Sequence, residues 1–196
     1  MADKLFIDET KMFKGVMSAV EAMVSEATIK IDPETGLSLS ALEPAKSAMI
    51  QVVLPRTFFT DMEVEAERYV GIQFEDLMRI LKRVKAGESL ILTVGDEDLV
   101  IEARGKYTRR FSLPLMAGEP FTMRELKIQF KAGARIECSG FPSMVKDLSL
   151  VGTEVDIEID GRKLSFTTRA QRTESVIEIT TEDPILLDIW AEEPSK

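Results

Sequence analysis

The chain has 196 residues, 44% of them hydrophobic and 30% charged, and carries a formal net charge of -9. That length can bury a real core as one large domain or two small ones, and the aliphatic content excludes intrinsic disorder. The absence of histidine excludes Ser-His-Asp and Cys-His chemistry and His-bearing zinc sites, and the single cysteine, Cys138, excludes an internal disulfide framework. Cys138 reads as a small buried apolar residue, and one thiol fits a reducing cytoplasm. No apolar run reaches membrane-spanning length, and "MADKLFIDE" has neither the basic nor the apolar region of a secretory leader, so no membrane association is expected. The 34 acidic residues are scattered along strands and turns as solvating side chains are, whereas the competing enzyme class, an acidic metal-dependent hydrolase, needs them clustered. No Walker-type phosphate loop or dinucleotide GxGxxG occurs, and no metal or other cofactor is expected.

In chain order, "KLFI" predicts a short strand leading into an amphipathic helix over 9–27. On that helix Phe13, Val16, Met17, Val20, Met23, Val24 and Ala27 form the buried side, and Lys11, Lys14, Ser18, Glu21 and Ser25 the exposed one. "TIKIDPETGLSLSALE" alternates apolar and polar residues around a turn at 32–36, which predicts a hairpin, and a further strand follows at 48–54. The plan then repeats. "RYVGI" leads into "GIQFEDLMRILKRVKAG" at 71–87. At about 100° per residue, Phe74, Leu77, Met78, Leu81 and Val84 gather on one side there, with Arg79, Lys82 and Arg83 opposite. A hairpin around 95–98 and a strand at 109–115 complete the second unit. The third comprises "ARIEC", a helix over 139–152, a hairpin around 160–162 and a strand at 175–181. Its Val145, Leu148 and Val151 face inward, and Ser143 and Lys146 outward.

The turns recur at roughly 64 residues, so three units of strand, helix and hairpin use nearly the whole chain. The fold class is therefore α+β, with helices on one face of antiparallel sheets. Equivalent helix faces offer Lys11 and Lys14, then Arg79, Lys82 and Arg83, then Lys146. A localised basic face in an acidic chain is the footprint of a polyanion partner. The competing reading is a solvated helix whose Glu75, Asp76 and trailing cations merely suit its dipole.

Four stretches in order, "AVEAMVSEATIKIDPETGLSLSALEPAK" (19–46), "GIQFEDLMRILKRVKAGESLIL" (71–92), "RRFSLPL" (109–115) and "KDLSLVGTEVDIEI" (146–159), resemble DNA sliding clamps of the proliferating cell nuclear antigen family, above all its archaeal members. The resemblance runs end to end. It implies a DNA-clamp fold with two similar domains per subunit, three subunits closing a homotrimeric ring around double-stranded DNA, helices lining the hole and sheets outside. It also implies no enzymatic activity, cytoplasmic placement at the nucleoid, and a role tethering DNA polymerase, clamp loader, flap endonuclease and ligase. By position, the DNA-facing residues fall on Lys14, Arg79, Lys82 and Lys146, with Lys11 and Arg83 beside them. Gly15, Glu21 and Ser143 stand where relatives often carry a cation. The pocket for a short partner motif falls on Leu42, Pro44, Lys46 and Met49 after the first hairpin, and on Met116, Phe121, Met123, Leu126 and Ile128 of a connector.

The implied domains are 1–115 and 130–196, joined by a connector at 116–129. The family has four repeat units where three are read here, so the third is expected to stand as half of a two-unit domain. Phe141, Val145, Leu148, Ile157, Ile159, Leu164 and Phe166 would then lack part of their cover. The strands expected to join subunits are at about 106–115 and 174–181 by the same resemblance, which leaves open a specialised or checkpoint-type subunit of a hetero-oligomer.

Overall fold

Alternation in "DKLFI" buries Asp3, Leu5 and Ile7 along one side of β1 (Asp3–Ile7) in the computed structural model of the chain, which describes residues 3–120 and 129–192. Helix α1 (Thr10–Glu21) follows and inserts Phe13, Met17 and Val20 into the core. It is shorter than the periodicity suggests. In "EATIKID" the alternation switches to period two and the β-branched residues favour strand, so Ala27 belongs to β2 (Glu26–Asp32). The turn to β3 (Gly36–Leu42) is built on Asp32, whose carboxylate accepts the N–H groups of Glu34 and Thr35 at 2.9 and 2.8 Å. Those bonds hold the carboxyl below its ordinary range. Gly36 has φ +97°, and a Cβ there would lie 2.3 Å from the Leu54 carbonyl oxygen, so the turn requires glycine. Strand β4 (Met49–Leu54), a 3-10 turn at Arg56–Phe58 and β5 (Asp61–Glu63) complete the repeat.

The second repeat comprises β6 (Arg68–Gln73), α2 (Phe74–Leu81), β7 (Ser89–Val94), β8 (Asp98–Arg104), β9 (Thr108–Pro114) and β10 (Met116–Ala117). The two repeats exchange their first strands. β1 leaves its own hairpin and pairs with β7, Leu5 opposite Leu92, while β6 pairs with β2, Val70 opposite Ile29. The result is two antiparallel five-stranded sheets, β5-β1-β7-β8-β9 and β10-β6-β2-β3-β4, sharing one core with both helices. Arg68 fastens the sheets at their rim. It donates to Asp3 Oδ2 at 3.1 Å and to the carbonyls of Val94 and Gly95 at 3.2 and 2.7 Å.

The chain forms two compact units, 1–125 and 126–196. The second contains β11 (Ala132–Ile136), α3 (Phe141–Ser149), β12 (Asp156–Ile159), β13 (Lys163–Ala170), β14 (Thr173–Thr180) and β15 (Leu186–Ala191). β11 pairs with β15, and β12, β13 and β14 form a separate antiparallel sheet. Its buried core is small: Leu148, Leu164, Phe166 and Ile179. Two expectations are corrected here. Leu148, Leu164 and Phe166 do have cover, because α3 lies against the central strand β13 and its neighbour β14. Val145, turned inward by helical periodicity, is exposed, and its exposure with that of Phe141 and Ile157 agrees with the expected lack of cover. Cys138 is exposed as well, because β11 ends at Ile136 and the loop to α3 runs over the surface.

On β8, Glu102 is buried between two cations, with Arg104 Nε and Arg110 Nε each 2.5 Å from a carboxylate oxygen. Arg104 first, then Arg110, holds the carboxyl below its ordinary 4.5 against the opposing effect of burial. A depressed folded value stabilises the protein fully above about pH 4.5 and progressively less as the pH falls through the folded value. Glu102→Gln is expected to lose about 1 kcal/mol at neutral pH. The deficit should shrink under acid in urea titrations of both proteins; a deficit constant with pH would mean that the charge contributes nothing.

Candidate nucleic-acid interface

Helices α1 and α2 pack side by side and bury one stripe each, with Phe74, Leu77, Met78 and Leu81 as the inner face of α2. The outer faces carry the cations named from sequence, and they differ in how free they are. Lys14 is half-buried and its ammonium donates to the Val84 carbonyl at 2.7 Å. That oxygen lies just past the C-terminal end of α2, where unpaired carbonyls concentrate negative partial charge. The expectation of an exposed Lys14 is therefore corrected: it fastens one helix to the other. Lys82 Nζ stands 3.5 Å from Glu21 Oε1, and Arg79 reaches Asp76 at 3.0 Å and Glu75 at 3.5 Å. Exposed pairs of this kind contribute little and are readily exchanged for another anion.

Among the described residues, Lys11, the side chain of Arg83 and, in the second unit, Lys146 carry no ion pair and are exposed. The Arg83 backbone is nonetheless fixed, because its carbonyl accepts from Arg109 Nη1 at 2.9 Å. Arg109 also pairs with Glu88 and stacks over Tyr107 at 5.5 Å. The Glu88 carboxyl lies below its ordinary range, held first by the Lys85 N–H and also by Arg109. Arg109 thus spends its charge on the turn that presents Arg83.

The outer face of the β10-β6-β2-β3-β4 sheet forms a second surface. Leu42 and Met49 stand opposite each other in register and share that face, Leu42 exposed and Met49 half-buried. Val53, exposed on the same face, was not singled out from sequence. Its signal is the alternation in "MIQVVL", where Ile50, Val52 and Leu54 turn toward the core. Between the strands, the Glu43 carboxylate accepts the N–H groups of Ala45 and Ser47 and the Ser47 hydroxyl. The hydroxyl is the chief cause of its lowered pKa. This loop presents Pro44 and Lys46 to solvent, Lys46 with a left-handed φ of 60°.

Met116 does not join Leu42 and Met49. It pairs with Gly71 from β10, at the opposite edge of the sheet from β4, some 19 Å away at about 4.8 Å per strand. The chain then turns inward over the sheet. Gly118 lies so close that a Cβ would stand 2.4 Å from the Tyr69 carbonyl, and the Glu119 N–H donates to Thr28 Oγ1 at 3.2 Å. Phe121, Met123, Leu126 and Ile128 lie outside the described residues.

Among the described residues, no group of three or more Cys, Asp or Glu side chains is placed to hold a metal ion, and no helix is long and apolar enough to cross a membrane. Residues 4–117 match the family described as proliferating cell nuclear antigen, N-terminal domain. Over 197 residues the chain is 32% identical to a DNA polymerase sliding clamp of Thermococcus fumicolans and 30% identical to one of Pyrococcus abyssi, covering 100% of this chain and 79% of either relative. PCNA from Thermococcus kodakaraensis superposes with a TM-score of 0.88 at 22% identity, over 97% of this chain and 77% of that one. A chain of the PCNA2-PCNA3 complex from Sulfolobus tokodaii gives 0.89 at 22% identity, over 98% and 78%. The fold is that of a sliding clamp, and the chain belongs to the proliferating cell nuclear antigen family.

Lys14 and Lys11 should respond differently to loss of charge. Lys14→Met is expected to destabilise the first unit by about 1–2 kcal/mol, because the Val84 carbonyl loses a charged donor. Lys11→Met should stay within about 0.5 kcal/mol, as exposed surface changes do. Equal effects in thermal and urea unfolding would remove the fastening role of Lys14.

Proposed function

We propose that this chain is a sliding-clamp subunit that encircles duplex DNA and tethers DNA polymerase and other replication and repair enzymes to it. The observation that carries this reading is the cationic outer stripe on the paired helices α1 and α2, in a family member whose net charge is -9. Lys11, Arg83 and Lys146 meet phosphates directly, while Arg79 and Lys82 do so by exchanging their carboxylate partners. No base-reading residue is needed, because a tether that moves along DNA requires contact with phosphates alone. Residues 1–115 act as one clamp domain, 116–129 as the connector and 130–196 as part of a second domain. Copies of the chain join through the strand edges exposed on β9 and β14. Partner enzymes dock a short apolar motif against Leu42, Met49 and Val53, beside the segment that crosses the sheet at Thr28. The chain itself performs no chemistry.

Topology is the direct test. Loaded on nicked circular DNA, the protein should resist washing with high salt and be released when the circle is cut; equal release from circular and linear DNA would overturn encirclement. Each phosphate neutralised contributes about -0.9 to the slope of log K against log salt concentration. Arg83→Ala is therefore expected to flatten the slope by about that amount, and Gly15→Lys to steepen it by as much. Nothing lies within 4 Å of a Cβ built at Gly15, so that position accepts a side chain.

The outer sheet face has a separate readout. Leu42→Glu should weaken a clamp-binding motif peptide at least about tenfold in calorimetry, since a charge would replace an apolar contact. Unchanged affinity would move the pocket away from β3.

A further inference from the structure

Strand β10 is two residues long, and from its end the chain lies down across the outer face of its sheet. Two glycines permit this. Gly71 faces outward between the buried Val70 and Ile72, and a Cβ on it would stand 2.9 Å from the Cβ of Met116, its partner in register. A Cβ on Gly118 would stand 2.4 Å from the Tyr69 carbonyl and 2.5 Å from the Val70 nitrogen. The obstacle there is backbone, which cannot swing aside, so any side chain at position 118 lifts the chain off β6. Gly118 lacks a positive φ, so close approach alone requires the glycine. One residue on, the Glu119 N–H donates to Thr28 Oγ1 at 3.2 Å. Thr28 stands opposite Gly71 on β2, so residues 116–119 cross from the edge of the sheet over β6. Continuing the register of Ile29 opposite Leu39 sets Thr28 beside Ser40, and Leu42 lies one diagonal step away, about 8 Å.

We propose that Thr28 and Gly118 are positioning residues for the docking of an apolar partner peptide on Leu42, Met49 and Val53. Gly118 lets the segment after β10 descend onto the sheet, and the Thr28 hydroxyl holds it there at the border of that apolar surface. Neither residue supplies apolar contact to the peptide. Their effect is on the segment beside it, which is ordered before the peptide arrives, so that less conformational freedom is lost on docking. All of these contacts lie inside the first unit. The role in docking rests on the function proposed above, whereas the hold of Thr28 on Glu119 is a property of the chain alone and has its own readout.

Two measurements on the full chain test it. Thr28→Val keeps the β-branched shape that a strand favours and removes only the acceptor. By nuclear magnetic resonance, the Glu119 amide should exchange with solvent about fivefold faster in Thr28→Val and regain its protection in Thr28→Ser. In calorimetry, a synthetic peptide of the clamp-binding motif should bind about fivefold more weakly to Thr28→Val and to Gly118→Ala, and with the original affinity to Thr28→Ser. A Glu119 amide indifferent to Thr28→Val would overturn the proposal. So would a peptide affinity that either substitution leaves unchanged, or that Thr28→Ser does not restore, while Leu42→Glu still weakens binding; the docking surface would then stand without its positioning residues. An affinity indifferent to Leu42→Glu as well would overturn the docking reading and the proposal together.

Discussion

The structure depends on the reciprocal exchange of first strands between neighbouring repeats. A helix carrying Phe74, Leu77, Met78 and Leu81 on one side cannot bury that stripe against its own hairpin alone. Lending β1 to β7 and β6 to β2 makes two continuous sheets and places both helices over one core. Burial on this scale, at about 25 cal/mol per Å2 of apolar surface, is the largest favourable contribution available to the unit. The same exchange brings α1 and α2 together and so decides which side chains line their common outer face. Where the exchange partner is missing among the described residues, in the second unit, the equivalent side chains Phe141 and Val145 stand in solvent.

The outer face of the helix pair is less positive than its cations suggest. Lys82 faces Glu21, Arg79 faces Asp76 and Glu75, and Lys14 is committed to a carbonyl. These contacts are near the distances of ordinary surface pairs, so on the proposed reading a phosphate displaces them at little cost, yet they reduce the net gain. A moving tether needs attraction spread over several weak contacts. A face of five strong, unshared cations would bind more tightly and slide less freely. On the proposed reading the carboxylates belong to the same face as the cations, and the strongly organised arginines, Arg68 and Arg109, serve packing rather than the surface.

Much of this was legible in the sequence, and the failures share a cause. Period two against period 3.6 located the hairpins at 32–36, 95–98 and 160–162 and the inner faces of α1 and α2, because burial of a face is a local pattern. The strand exchange leaves no such mark, since "KLFI" reads the same whichever hairpin receives it. Lys14 was misread because helical phase shows which way a residue points but not which carbonyl of another helix stands beside it. Met116 was grouped with Leu42 by the family resemblance, whereas the sheet order sets β10 three strand spacings from β3. Val53 was passed over although its alternation was visible, because the strand was read without assigning its two faces. Cys138 followed a residue-type preference for burial that the loop after β11 overrides.

The helix face and the outer sheet face of the first unit are separated by the core that both help to bury. Ile29 and Ile31 turn inward from β2 while Thr28 turns outward to receive the Glu119 N–H, so one strand serves both sides without sharing a side chain between them. Substitutions at Arg83 and at Leu42 therefore have no common contact, and effects at such separated positions add. The proposed contact with a phosphate backbone on one side and the proposed capture of an apolar motif on the other can then be tuned independently. A protein with the proposed function, holding one partner loosely and another selectively, gains from that separation, and the alternation of a β-strand provides it without additional structure.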